Sequence, residues 1–188
     1  MKYINMDNWE RRDHFLLFQS RRNPCICLTT SINVSETLKF RKEAEQGRHR
    51  LTYYLYYFIM KAANTVQEFK LRIESLRPVE LERIDAAFTY IPSGYNLHIN
   101  CIAQYDEHFA SFVSNIQKAR NTADTNPTLA PNGCQTQALI YLSCIKDIYF
   151  TSLSNPWDDP WQDSVPRIII GKNRPFNTLN ANINRSTA

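Results

Sequence analysis

Glycine is scarce in this chain, with four among 188 residues. That excludes the glycine-rich loops that cradle nucleotide phosphates. No Gly-x-Ser-x-Gly elbow occurs, which argues against a nucleophilic serine. No run of Lys or Arg marks a nucleic-acid surface, and the net charge of +4 is mild. Apolar runs are short: the most apolar, Leu51 to Met60, falls far below what a membrane span needs. The opening Met1-Lys-Tyr-Ile-Asn5 has no signal-peptide core. The five cysteines, Cys25, Cys27, Cys101, Cys134 and Cys144, are odd in number and scattered. Cys25-x-Cys27 is too tight for a zinc knuckle and lacks a second pair. The apolar flanks of Cys101 and Cys144 read as buried free thiols. The expectation is a cytoplasmic protein with no metal, no nucleic-acid partner and no membrane segment.

What remains is an ordinary globular composition, 43% hydrophobic and rich in Tyr and Phe, long enough for one domain with a sizeable core. The spacing predicts a helix over 8–18, with Asp7 or Asn8 as its N-cap and Trp9, Phe15 and Phe18 sharing roughly one face. Arg11 and Arg12 fall in its first turn, where the helix dipole does not favour cations. Each is either solvated or paired with a carboxylate elsewhere. Residues 25–34 alternate and read as a strand, Ser35 opens a short helix, and Gly47 marks a turn. Residues 51–69 read as a buried helix, apolar nearly all round. Its tyrosines, Tyr53, Tyr54, Tyr56 and Tyr57, are read as packing residues rather than a ligand-stacking box.

Further along, 69–73 and 81–84 read as short strands about a turn at Pro78. Strands follow at 87–91 and 96–103, separated by Pro92-Ser-Gly94. In the second, Leu97, Ile99 and Cys101 alternate with His98 and Asn100, so His98 faces away from the apolar side. Residues 106–118 read as a helix and 122–133 as a polar loop. Ile140 to Leu153 is rich in aliphatic, aromatic and Thr residues and is broken by Asn155-Pro156, which predicts a strand. Asn155 to Trp161 reads as a rigid loop and 166–171 as a last strand. From Asn173 the apolar pattern stops, so 173–188 reads as an unstructured tail. Strands and helices alternate, which predicts an α/β fold: a mixed β-sheet with helices packed on one face. Ser143 is the residue of interest. It is either a small side chain that fits a strand or a hydroxyl that donates to an oxyanion during acyl transfer.

Several motifs, in order, resemble the chloramphenicol acetyltransferase family. They are Asn8-Trp-x-Arg-Arg-x-His-Phe15, then Pro24-Cys25 before a Leu/Thr-rich segment, then the buried helix from Leu51. Glu68-Phe-x-Leu-Arg72 and Phe88-Thr89 follow, and then Tyr105-x-x-x-Phe109 with Phe112. Leu142-Ser143 through Phe150 and Ser152 resembles the family's Ile-Ser-x-x-Pro-Trp-x-x-Phe-x-Ser, with Lys146 and Asp147 in place of Pro-Trp. The resemblance runs over roughly 3–172, one domain. It implies a two-layer sandwich of the CoA-dependent acyltransferase type. It also implies acetyl transfer from acetyl-CoA to a hydroxyl of chloramphenicol or a similar small acceptor, in a site between subunits of a homotrimer, and hence antibiotic resistance.

By resemblance, Ser143 stabilises the tetrahedral intermediate. Arg11 matches an arginine that pairs with the Asp of a His-His-x-x-x-Asp-Gly motif whose second His is the general base. That motif is not in this sequence, so Arg11 lacks that partner and the base is missing. On the acceptor side, Phe18 stands for a Tyr, Cys25 matches a cysteine and Cys27 replaces a Phe. On the coenzyme side, Ile169 replaces a Thr and Lys172 is retained. The implied reading is a truncated or frame-shifted acetyltransferase lacking its C-terminal strand and helix, with impaired activity and poor trimer assembly. The alternative is a non-catalytic ligand-binding or subunit-associating remnant.

Overall fold

The computed structural model describes residues 1–43, 45–131, 136–155, 159 and 161–173. In chain order the elements are β1 (Lys2–Tyr3), α1 (Arg12–Gln19), α2 (Ser35–Glu43), α3 (Leu51–Thr65), β2 (Leu71–Glu74) and β3 (Arg77–Glu80). Then come β4 (Asp85–Tyr90), β5 (Ile99–Ala103), α4 (Phe109–Thr125), β6 (Leu139–Cys144) and β7 (Arg167–Ile170). Short 3-10 turns sit at Met6–Asn8 and Gln67–Lys70. The strands form two sheets, of order β1-β3-β2 and β5-β4-β6-β7. In the larger sheet β4 runs antiparallel to β5 and parallel to β6, and β6 runs parallel to β7. The α/β class with a mixed sheet and helices on one face is therefore as expected. The separate three-stranded sheet is an addition.

Strand alternation decides which face the helices cover. Ala86 and Phe88 of β4, Ile99, Cys101 and Ala103 of β5, and Ile140 and Leu142 of β6 join one core. The same core takes Tyr53, Tyr56, Tyr57 and Met60 of α3, and Phe112, Val113 and Ile116 of α4. Phe112, Met60 and Ile116 are wholly buried, and each such side chain contributes about 1.5–3 kcal/mol. The tyrosines of α3 pack as the sequence suggests. Asn64 docks the end of that helix. Its side chain donates to Ile84 O and accepts from Ile84 N–H, both at 3.0 Å. Residues of opposite parity, Ala87 and Tyr141 among them, face away from α3 and α4. Among the described residues, no helix packs in the cluster on that second face.

Several boundaries differ from the sequence reading. Residues 25–34 join no strand or helix, with Ile26, Leu28 and Ile32 at 89%, 88% and 76% exposure. Alternation favours an extended backbone, yet a strand also needs a neighbouring edge, and no described strand lies beside this one. The first helix begins at Arg12, and Arg11 is its N-cap without a side-chain cap bond. Asn5, not Asp7 or Asn8, caps the preceding 3-10 turn. The turn between β2 and β3 lies at Ser75 and Leu76, both with positive φ, while Pro78 sits inside β3 and 81–84 is a connection. Helix α4 runs on through Thr125, seven residues past the expected end. Leu97 lies before β5 and is 77% exposed.

The strand read over 140–153 ends at Cys144. Ile145 N–H still donates to Ile170 O at 2.8 Å, but Lys146 and Asp147 then turn the chain. Lys172 N–H reaches back to Ile148 O at 2.9 Å. Most of the expected tail, from residue 174 on, and much of the Asn155–Trp161 loop lie outside the described residues, as does Cys134.

Candidate active site

Register brings one row of side chains together on the helix-free face. Thr89 pairs with Asn100 across β4 and β5, and Ser143 pairs with Ile169 across β6 and β7. Phe88 lies opposite Leu142, which sets Thr89 beside Ser143. Their hydroxyl oxygens are 3.1 Å apart, and either can donate. Two hydroxyls that share one hydrogen bond keep one proton to give outward. The row therefore reads Asn100, Thr89, Ser143, Ile169. It lines an open cavity of about 510 Å³, together with His98, Tyr141 and Arg167.

Polarity in this cavity is uneven. None of its described lining residues is Asp or Glu. Arg167 pairs with Asp163 at 2.6 Å and lies over the Tyr141 ring at 5.4 Å. Asn100 donates to Leu129 O at 3.0 Å. Cys144 alternates with Ser143. Burial pushes its thiol up from the ordinary value, against the pull of a Thr52 hydrogen bond. A smaller polar pocket of about 280 Å³ lies elsewhere, between Tyr53 of α3 and Arg120 and Asp124 of α4. Among the described residues no group of three or more His, Cys, Asp or Glu is placed to hold a metal.

Two of the residues singled out from sequence, Ser143 and Ile169, meet in the cavity. The others do not line it. Arg11 lies apart and is not without a partner. It donates to Glu68 at 2.6 Å, the first residue of the Glu-Phe-x-Leu-Arg segment. Glu68 is held below the usual carboxylate range by a hydrogen bond from its own backbone and by Arg11. Phe18, on α1, is 44% exposed. Cys25 is half-buried and Cys27 is exposed. Burial raises the Cys25 thiol, and the charges of Arg167 and Asp163 both reach it. Lys172 packs over the Tyr149 ring at 5.0 Å, just past β7.

Thr89, Asn100, Tyr141 and Arg167 were not singled out as site residues from sequence. The polar positions of β4 and β5 were visible, but only register shows that they join Ser143 in one row.

A family model described as chloramphenicol acetyltransferase matches residues 1–159. "Chloramphenicol acetyltransferase 3" of Escherichia coli is 24% identical over 157 residues, 82% of this chain and 72% of that protein. "Chloramphenicol acetyltransferase 2" of Haemophilus influenzae is 19% identical over 147 residues, 78% of this chain and 68% of that protein. A solved chloramphenicol acetyltransferase structure superposes with a TM-score of 0.82. It covers 94% of this chain and 84% of its own, at 23% identity, which speaks for the fold. With that model matched across most of the length, and a mixed sheet covered by helices on one face, this chain belongs to the chloramphenicol acetyltransferase family.

Proposed function

We propose that this chain transfers acetyl from acetyl-CoA to a hydroxyl of chloramphenicol or a similar small acceptor, on the helix-free face of the sheet. The observation that carries this reading is the Ser143–Thr89 hydroxyl pair, 3.1 Å apart in an open cavity. In acyl transfer the acceptor oxygen attacks the thioester carbon, and negative charge gathers on the carbonyl oxygen. The hydroxyl pair is built to donate to that oxygen, and one such donor contributes about 10²–10³-fold. Ile169 and Lys172 are assigned to the coenzyme side, and Phe18, Cys25 and Cys27 to the acceptor side. Arg11 supports the site from a distance through Glu68. The acceptor differs from that of the relatives if Phe18 and Cys27 reshape the pocket.

The 188 residues contain no two adjacent histidines, so the family's general base is not among them. A general base contributes about 10²–10⁴-fold, so turnover by these 188 residues is proposed to be weak by that order unless another side chain takes the proton. We place the chain in the cytoplasm, with a homotrimer as the family's assembly and antibiotic resistance as the role. The missing pair of histidines also favours a second reading, a subunit that binds ligand without turning it over.

The test uses the purified chain with acetyl-CoA and chloramphenicol. Calorimetry reads coenzyme binding, and release of the free thiol reads turnover. Binding with weak turnover supports acetyl transfer, and binding without turnover supports the second reading. Failure to bind acetyl-CoA overturns both.

A further inference from the structure

Acyl transfer to an alcohol needs a proton acceptor, because the hydroxyl proton must leave as the new C–O bond forms. The side chains lining the cavity offer few. Among the described lining residues there is no Asp or Glu. Arg167 carries only N–H donors and lies over the Tyr141 ring, and the Tyr90 hydroxyl already donates to Asp124 at 3.0 Å. Cys144 holds its proton more tightly than an ordinary thiol because it is partly buried. His98 remains.

The other histidines are elsewhere. His108 is at the N-cap of α4, 87% exposed and paired with Asp106 at 3.3 Å. His49 packs among Tyr53, Tyr54 and Phe109 and faces Glu45. His14 is on α1. None of these three lines the cavity.

We propose that His98 is the proton acceptor for acyl transfer at the Ser143–Thr89 pair. The inference rests on the acetyl-transfer reading above. His98 directly precedes β5 and keeps the parity of Asn100, so it stands on the helix-free face. Two strand spacings across and two residues along separate its Cα from that of Ser143, about 12 Å in all. Both side chains extend into the cavity, and the space between them suits a thioester carbonyl with an incoming hydroxyl. His98 is also exposed, so a positive charge on the ring stays solvated.

The step balances. The ring nitrogen takes the acceptor's proton as the acceptor oxygen bonds to the thioester carbon. The carbonyl oxygen becomes an oxyanion held by the hydroxyl pair. Its collapse re-forms the carbonyl and breaks the C–S bond. The departing thiolate takes the proton from the imidazolium, leaving ester, free thiol and neutral imidazole.

The experiment compares the full chain with His98→Ala, and with His108→Gln as a control for surface histidines. Acetyl-CoA affinity is read by calorimetry and transfer to chloramphenicol by thiol release, with and without added imidazole. The expected result is a loss of about 10²–10⁴-fold in kcat for His98→Ala. Acetyl-CoA affinity should hold within twofold, and free imidazole should restore part of the rate. A residue that only shaped the pocket would not be rescued. Equal turnover in His98→Ala and the parent overturns the assignment and leaves the acetyl-transfer reading standing. A parent chain that binds acetyl-CoA but does not turn over also overturns it, in favour of the binding reading. A parent that does not bind acetyl-CoA removes the acetyl-transfer reading as well.

Discussion

Arg72→Met should cost this fold several kcal/mol, although Arg72 does not line the cavity. Its side chain is 2% exposed. The guanidinium donates to four backbone carbonyls: Gln137 O at 2.8 Å, and Phe69 O, Leu71 O and Leu139 O at 2.7 Å each. These bonds tie β2, in the small sheet, to the start of β6, the strand that carries Ser143. Burial lowers the Arg72 pKa to about 10, with the charge of Asp163 opposing the fall, so the group stays ionised near neutrality.

Methionine fills much of the volume and removes the cost of burying a charge. It also leaves buried carbonyls without a donor, at about 1–3 kcal/mol each. If two of the four stay unsatisfied after relaxation, the loss is about 2–6 kcal/mol before the relief of charge burial, centred near 4, against a total of about 5–15. With a urea m-value of about 2 kcal/mol per M, the midpoint should fall by about 2 M. Arg72→Lys keeps the charge but not the fork, and should lose roughly half as much. It also provides a measurable variant if the methionine form does not fold. A midpoint change worth less than about 1 kcal/mol in the methionine variant would refute the reasoning, since that is the scale of an ordinary surface change.

Three further outcomes follow from local geometry. Ser75 and Leu76 make the β2–β3 turn at φ of +50° and +61°. Leu76→Gly should relieve that strain and raise the unfolding free energy, read from urea titration, by about 0.5–1 kcal/mol. A Cβ at Gly171 would lie 2.8 Å from Cε1 of the Phe150 ring. Gly171→Ala should therefore cost about 1–3 kcal/mol by thermal melting. Burial pushes the Cys101 thiol up to about 11 from an ordinary 9.0, so the folded chain keeps a proton that the unfolded chain loses. Stability from this group is intact below the lower value and declines as pH climbs from one to the other. Urea midpoints across that window should show a shallower decline for Cys101→Ala.

The fold was legible where pattern and burial agree. The apolar girth of α3 and the alternation in β4 and β5 give element type directly, and their packing follows. Pattern failed where an element depends on its neighbour. Residues 25–34 have strand chemistry but no adjacent edge, and Ile26 and Leu28 stand in solvent. Ile145 to Leu153 is strand-like in composition, yet Lys146 and Asp147 turn it after Cys144. The Arg11–Glu68 pair joins residues 57 apart, and the first-turn arginine hinted only that some carboxylate would meet it. Ser143 was visible as a lone hydroxyl. Its partner Thr89, 54 residues earlier, is fixed by the parallel register of β4 and β6, which no local pattern encodes.

The central claim is that acyl transfer occurs over the Ser143–Thr89 pair on the helix-free face. A crystal structure of the chain with acetyl-CoA tests it most directly. The account predicts the thioester carbonyl oxygen at about 2.7–3.1 Å from the Ser143 or Thr89 hydroxyl, within hydrogen-bond reach. A thioester seated instead in the Tyr53–Arg120–Asp124 pocket, or on the helix-covered side of the sheet, would contradict it.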